Sequence, residues 1–92
     1  MIVRILGEGQ LEVPDTALDG LNELDESLIR AVEAGDEAAF RRDLDALLER
    51  IRASGQPVAD DYLGPSDLMI PAGDSTLEEV RSLLGDEGLI PG

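Results

Sequence analysis

The chain has 92 residues, seven basic against 21 acidic, for a formal net charge of −14, and it contains neither cysteine nor histidine. Disulfides, thiolate and histidine-bearing metal sites, and Ser-His or Cys-His nucleophile pairs are therefore excluded. Every basic residue is arginine, and so acidic a chain repels nucleic-acid phosphates and anionic membrane surfaces while suiting a basic partner.

The length fits one small domain spanning 1–92, and with Phe40 and Tyr62 the sole aromatics its core must be built from Leu, Ile and Val. No apolar run approaches the 18 or so residues of a membrane span, and the opening Met1-Ile2-Val3-Arg4 is too short for a signal peptide's apolar region, so the expected location is the cytoplasm.

The first elements are two short β-rich runs, Met1 to Leu6 and Gln10 to Val13, separated by Gly7-Glu8-Gly9. Two glycines in three residues supply the positive φ of a tight turn, so the chain opens with a β-hairpin. The same glycines lack the third glycine, the following helix and the acidic ribose ligand of a dinucleotide fingerprint.

Pro14 closes the second strand, and Asp15 or Thr16 is placed to cap the next helix. From Ala17 to Ala34, Ala17, Leu21, Leu24, Leu28, Ala31 and Val32 fall on an arc about 100° wide, the signature of one dry side. Opposite them runs an acidic ridge of Asp15, Asp19, Glu23, Glu26 and Glu33, interrupted by Arg30. It is either a solvated face or a surface for a basic partner. Gly20 is a poor helix former, and Asp25 falls at the apolar edge. Asp25 therefore either rides one continuous helix or caps a second one starting at Glu26.

Gly35-Asp36 reads as a joint, because glycine suits the left-handed position after a helix and aspartate accepts the free amides that start the next. So short a connection makes the two helices an αα-hairpin. The second helix, Asp36 to Ser54, places Phe40, Leu44, Leu47, Leu48 and Ile51 on one stripe and carries four of the seven arginines, Arg41, Arg42, Arg50 and Arg52. These arginines either pair along the helix surface, as Glu37 and Arg41 suggest, or form a docking cluster led by Arg41 and Arg42.

Gln56 to Gly64 reads as a loop. Leu68 to Ile70, bounded by Pro65 and Pro71, is a third strand that pairs with the hairpin. Thr76-Leu77-Glu78-Glu79 matches a capping box for a last helix with Leu77, Val80 and Leu84 on its apolar face, stopped at Gly85. The tail ends on Leu89-Ile90, which either packs under the domain or serves as a docking tag.

Carboxylates are the abundant reactive groups. Asp60, Asp61, Asp67 and Asp74 gather in loop-rich sequence where oxygen ligands suit Mg²⁺ or Ca²⁺, but their spacing fits no EF-hand loop. Asp43 and Asp45 diverge by about 200° on a helix and cannot share an ion. No carboxylate pair is marked for acid-base work, so no catalytic residue, metal or cofactor is expected.

In order and spacing, MIVRILGEGQLEV, LNELDESLIRAVEAGDEAAF, PSDLMIP and TLEEVRSLLGDEGLIPG resemble the PspA-associated (PspAA) domain across nearly the whole chain. The resemblance implies a cytoplasmic accessory of phage shock protein A, a coiled-coil, membrane-remodelling envelope-stress protein, with recruitment to the inner face of the membrane through that partner. It carries over no catalytic residues. The expectation is an α+β domain: an N-terminal β-hairpin, an αα-hairpin, a short third strand and a C-terminal helix on a small antiparallel sheet. Its expected function is that of a non-catalytic regulatory module, with Asp19, Glu23, Glu26, Arg30, Arg41, Arg42, Leu89 and Ile90 as candidate partner-binding residues and self-association left open. The alternative is an acidic decoy covering the basic surface of a nucleic-acid-binding protein.

Overall fold

The computed structural model describes residues 1–58 and 67–84. Asp60, Asp61, Gly85, Leu89 and Ile90 lie outside the described residues.

The opening hairpin pairs β1 (Ile2–Ile5) antiparallel with β2 (Gly9–Glu12), in a register that sets Val3 opposite Leu11 and Ile5 opposite Gly9. Gly7 and Gly9 take φ of 87° and 113°, and the Glu8 N–H closes the turn by donating to the Ile5 carbonyl at 2.9 Å. These are the positive dihedrals that a side chain would oppose.

Asp15–Ala17 winds into a 3₁₀ turn instead of capping a helix, and α1 (Leu18–Ala34) follows with Ala17 before it and no side-chain cap. This corrects the assignment of Asp15 or Thr16 as cap. The helix runs unbroken through Gly20 and Asp25, which settles the choice between one helix and two. Leu21, Leu28, Ala31 and Val32 are buried, and Ala17 and Leu24 pack at the margin of the same cluster.

The joint forms as the residues dictate. Gly35 is left-handed at φ 69°, its N–H donates to Val32 O and that of Asp36 to Ala31 O, the paired bonds of a Schellman ending. The Asp36 carboxylate then accepts from the Ala39 N–H at 3.1 Å and caps α2 (Glu37–Ser54). All five members of the α2 stripe, Phe40, Leu44, Leu47, Leu48 and Ile51, are buried.

Past Gly55 the chain enters a two-residue strand, β3 (Gln56–Pro57), antiparallel to β2, within a stretch that composition assigned to a loop. Hence Leu68–Ile70 is the fourth strand, β4, not the third. It lies beside β1 in parallel register, Val3 with Leu68 and Ile5 with Ile70, and the sheet order is β3-β2-β1-β4. The sheet is therefore mixed, not antiparallel as expected. Parallel pairing needs a long crossover, and the helical hairpin between β1 and β4 supplies it. The last helix, α3 (Leu77–Leu83), carries the complete Thr76–Glu79 capping box and packs chiefly on α1. The fold class is α+β, with Val3, Ile5, Leu68 and Ile70 of the sheet joined to the helices in one buried cluster.

Two glycines within this frame respond oppositely to alanine. At Gly20 a Cβ would meet Arg50 Nη2 at an ordinary 3.4 Å, so Gly20→Ala is expected to stabilise by up to about 1 kcal/mol through helix propensity. Gly35→Ala, forced into the left-handed region, is expected to destabilise by about 1–2 kcal/mol. Urea unfolding of the two variants measures both signs.

Candidate functional site: the charged faces of the helical hairpin

The amphipathic pattern that buries α1 on α2 also fixes what α1 shows to solvent. Asp19, Glu23, Glu26, Arg30 and Glu33 are all exposed. With a rise of 1.5 Å per residue, the ridge from Asp19 to Glu33 is about 21 Å long. None of these five side chains enters an ion pair among the described residues. The ridge thus presents four uncompensated carboxylates and one cation along a single rigid element.

The arginines behave differently. Arg41, expected at a partner surface, is half-buried and turned inward: its guanidinium donates to the carbonyls of Gly73 and, at 2.8 Å, Ser75, with its Cζ 5.1 Å from the Phe40 ring centroid. Helix-surface pairing with Glu37 is not its role. Arg81 of α3 likewise donates to the Val32 carbonyl at 2.8 Å, near the end of α1. Arg42 leaves most of its side chain exposed (74%) while its Nε approaches Asp43 Oδ1 at 3.4 Å. Arg50 lies over Gly20, and neither it nor Arg30 forms an ion pair among the described residues.

Arg52 clamps the N-terminal hairpin to the end of α2. Its Nε donates to Glu8 Oε1 at 2.9 Å, its Nη2 to Glu8 Oε2, and its Nη1 to Glu49 Oε1 at 3.1 Å. The two-pronged bond to Glu8 matches the fork of a guanidinium to a carboxylate. Hydrogen bonding from Arg52 holds the Glu8 carboxyl below the usual carboxylate range, and the same bond raises the Arg52 guanidinium.

Two carboxylates that sequence reasoning had not placed in the core are buried there, Asp25 and Asp43. Asp43 accepts from Ser27 Oγ at 3.0 Å across the seam between the helices. Its position was detectable: three residues after Phe40 and four before Leu47, it shares the dry side of α2. No signal of comparable strength marked Arg41 and Arg81, whose acceptors are backbone carbonyls 32 and 49 residues away.

Of the acids considered for a metal, Asp67 instead uses its carboxylate to accept the Ile2 N–H at 2.8 Å, and Asp74 is exposed. No group of three or more acids close enough to hold a metal ion occurs among the described residues. No helix among them is long and apolar enough to cross a membrane.

The fold and its surface together define an acidic α+β module whose described distinguishing feature is a charged helix face. The family model described as PspA-Associated protein matches residues 1–92, the whole chain, and the chain belongs to that family. Searches of curated proteins and of solved structures returned no match.

The Glu8–Arg52 clamp has a defined pH signature. Because Glu8 is held below its ordinary pKa in the folded state, its contribution is full above the carboxylate range and is lost as pH falls through the lowered folded value. Glu8→Gln is expected to lower stability at neutral pH by about 0.2–1 kcal/mol, as an exposed pair allows. The difference from the parent should shrink on acidification below about pH 4 and in high salt, as read by urea unfolding across pH.

Proposed function

We propose that this protein is a non-catalytic binding module that acts with a phage shock protein A-type partner and docks on it through the acidic face of α1. The observation that carries the reading is the exposed ridge of Asp19, Glu23, Glu26 and Glu33, which enters no ion pair among the described residues and is set on a chain of net charge −14. Membership of the PspA-associated family supports the choice of partner.

An exposed carboxylate row on a rigid helix favours a partner surface of Arg and Lys. Opposed charge of this kind raises the encounter rate and fixes orientation more than it adds affinity. Arg30, within the ridge, restricts the fit to a surface that answers one cation among four anions. Arg42, exposed on the neighbouring helix, is a further charge available to a partner. Arg41 contributes indirectly, by holding the fold. The absence of histidine and cysteine from the sequence agrees with a role in binding rather than in chemistry. In this reading the module works in the cytoplasm and reaches the inner face of the membrane by way of its partner.

Co-expression and co-purification with the partner, followed by calorimetry of the purified pair, tests the proposal. Binding is expected at a Kd on the order of 10 μM or tighter, weakening as salt rises. Reversing two ridge charges, Glu23→Lys with Glu26→Lys, should weaken it at least about tenfold while leaving the unfolding transition in place. A purified pair that gives no heat at concentrations on the order of 50 μM would rule out direct partnership, and binding indifferent to the double reversal would move the interface off α1.

A further inference from the structure

We propose that residues 67–84, comprising β4, the turn at Pro71–Ser75 and α3, form an arm that opens as a unit from the body made by residues 1–58, exposing the edge of β1 and the apolar seat of α3. This proposal stands independently of the partner-binding role of α1.

The body is closed on itself. Its strand pairs, β1 with β2 and β2 with β3, and its helix pair all lie within residues 1–58. It supplies twelve of the sixteen buried apolar residues among those described, from Val3 to Ile51, and the arm supplies the other four, Leu68, Ile70, Leu77 and Val80. Removing the arm breaks none of the body's own ladders, because β4 sits at the sheet edge. The arm has little to hold it together once detached: three strand residues and a seven-residue helix, the latter far too short to persist alone in water.

Beyond the β1–β4 ladder and the four buried apolar side chains, discrete fastenings attach it. At the strand, the Asp67 N–H donates to Ile2 O and its carboxylate accepts the Ile2 N–H, both at 2.8 Å, and the Leu6 N–H donates to Ile70 O at 2.9 Å. At the turn, Arg41 binds the carbonyls of Gly73 and Ser75, and Leu48 Cδ1 lies 3.3 Å from where a Gly73 Cβ would stand. At the helix, Arg81 binds the Val32 carbonyl. Both arginine fastenings end on backbone carbonyls, so they tie the arm to the body without using any of the abundant carboxylates. Short elements joined at a sheet edge in this way, even with four side chains in the shared core, are candidates to open below the free energy of global unfolding.

Native-state hydrogen exchange on the full chain, at denaturant concentrations below the unfolding transition, tests this. The amides of Asp67, Val80 and Leu84, together with Leu6 on the body side, are expected to exchange through one common opening. That opening should depend less on denaturant than the exchange of Leu44 and Leu47 in α2. Arg81→Ala should speed exchange of the arm set about ten- to hundredfold, the worth of a hydrogen bond from a charged donor. Ile51→Val, which alters none of the residues that fasten the arm, should speed Leu44 and Leu47 about two- to tenfold and leave the arm set unchanged. The proposal fails if Ile51→Val accelerates arm and α2 amides by the same factor, if both sets share one denaturant dependence in the parent, or if Arg81→Ala leaves the arm set unchanged.

Discussion

The seam between α1 and α2 is the contact on which the remaining structure depends. Neither helix carries enough intrinsic propensity to persist alone in water at 17 or 18 residues with such sequences. Each becomes stable by burying its stripe against the other, and the five large apolar side chains of α2 contribute about 1.5–3 kcal/mol each before conformational entropy opposes them. The Gly35-Asp36 joint allows this by reversing the chain within two residues. The sheet then closes the same cluster from the other side through Val3, Ile5, Leu68 and Ile70. Phe40 is the one aromatic among the described buried residues, and the rest of that core is aliphatic, so its order depends on shape rather than on ring stacking.

Charge is sorted by the same seam. A buried carboxylate without a partner is expensive, and Asp43 meets this by accepting from Ser27 on the facing helix. Four of the arginines are drawn into the fold or its surface pairs, Arg41 and Arg81 to backbone carbonyls, Arg42 to Asp43 and Arg52 to Glu8 and Glu49. The carboxylates of α1, which enter no ion pair among the described residues, face water.

In this member of the PspA-associated family the parts of the chain contribute differently to the fold and its surface. The body carries most of the described core, α1 displays a patterned charge, and residues 67–84 join it through a short parallel strand, four buried apolar side chains and two arginines.

Much of this was legible in the residues. Period-3.6 spacing marked both helices and their dry sides, the glycine-rich turn marked the hairpin, and Gly35, Asp36, Thr76 and Glu79 marked helix ends, because each acts on neighbours within a turn of chain. Whether Asp25 interrupts α1 depended on whether the seam could take in a carboxylate, which no local signal states. The same limit explains why β4 was foreseen but its parallel direction was not: three residues specify a strand, while direction follows from the path of the helical hairpin between β1 and β4. Arg41 had the appearance of a surface cation because its acceptors are carbonyls, which every residue carries and no sequence pattern marks. The sequence by itself determined the hairpin, the three helices, their dry faces and the acidic ridge on α1; only the tertiary structure decided the pairing of β3, the direction of β4 and which arginines turn inward, since those rest on backbone groups brought together from distant parts of the chain.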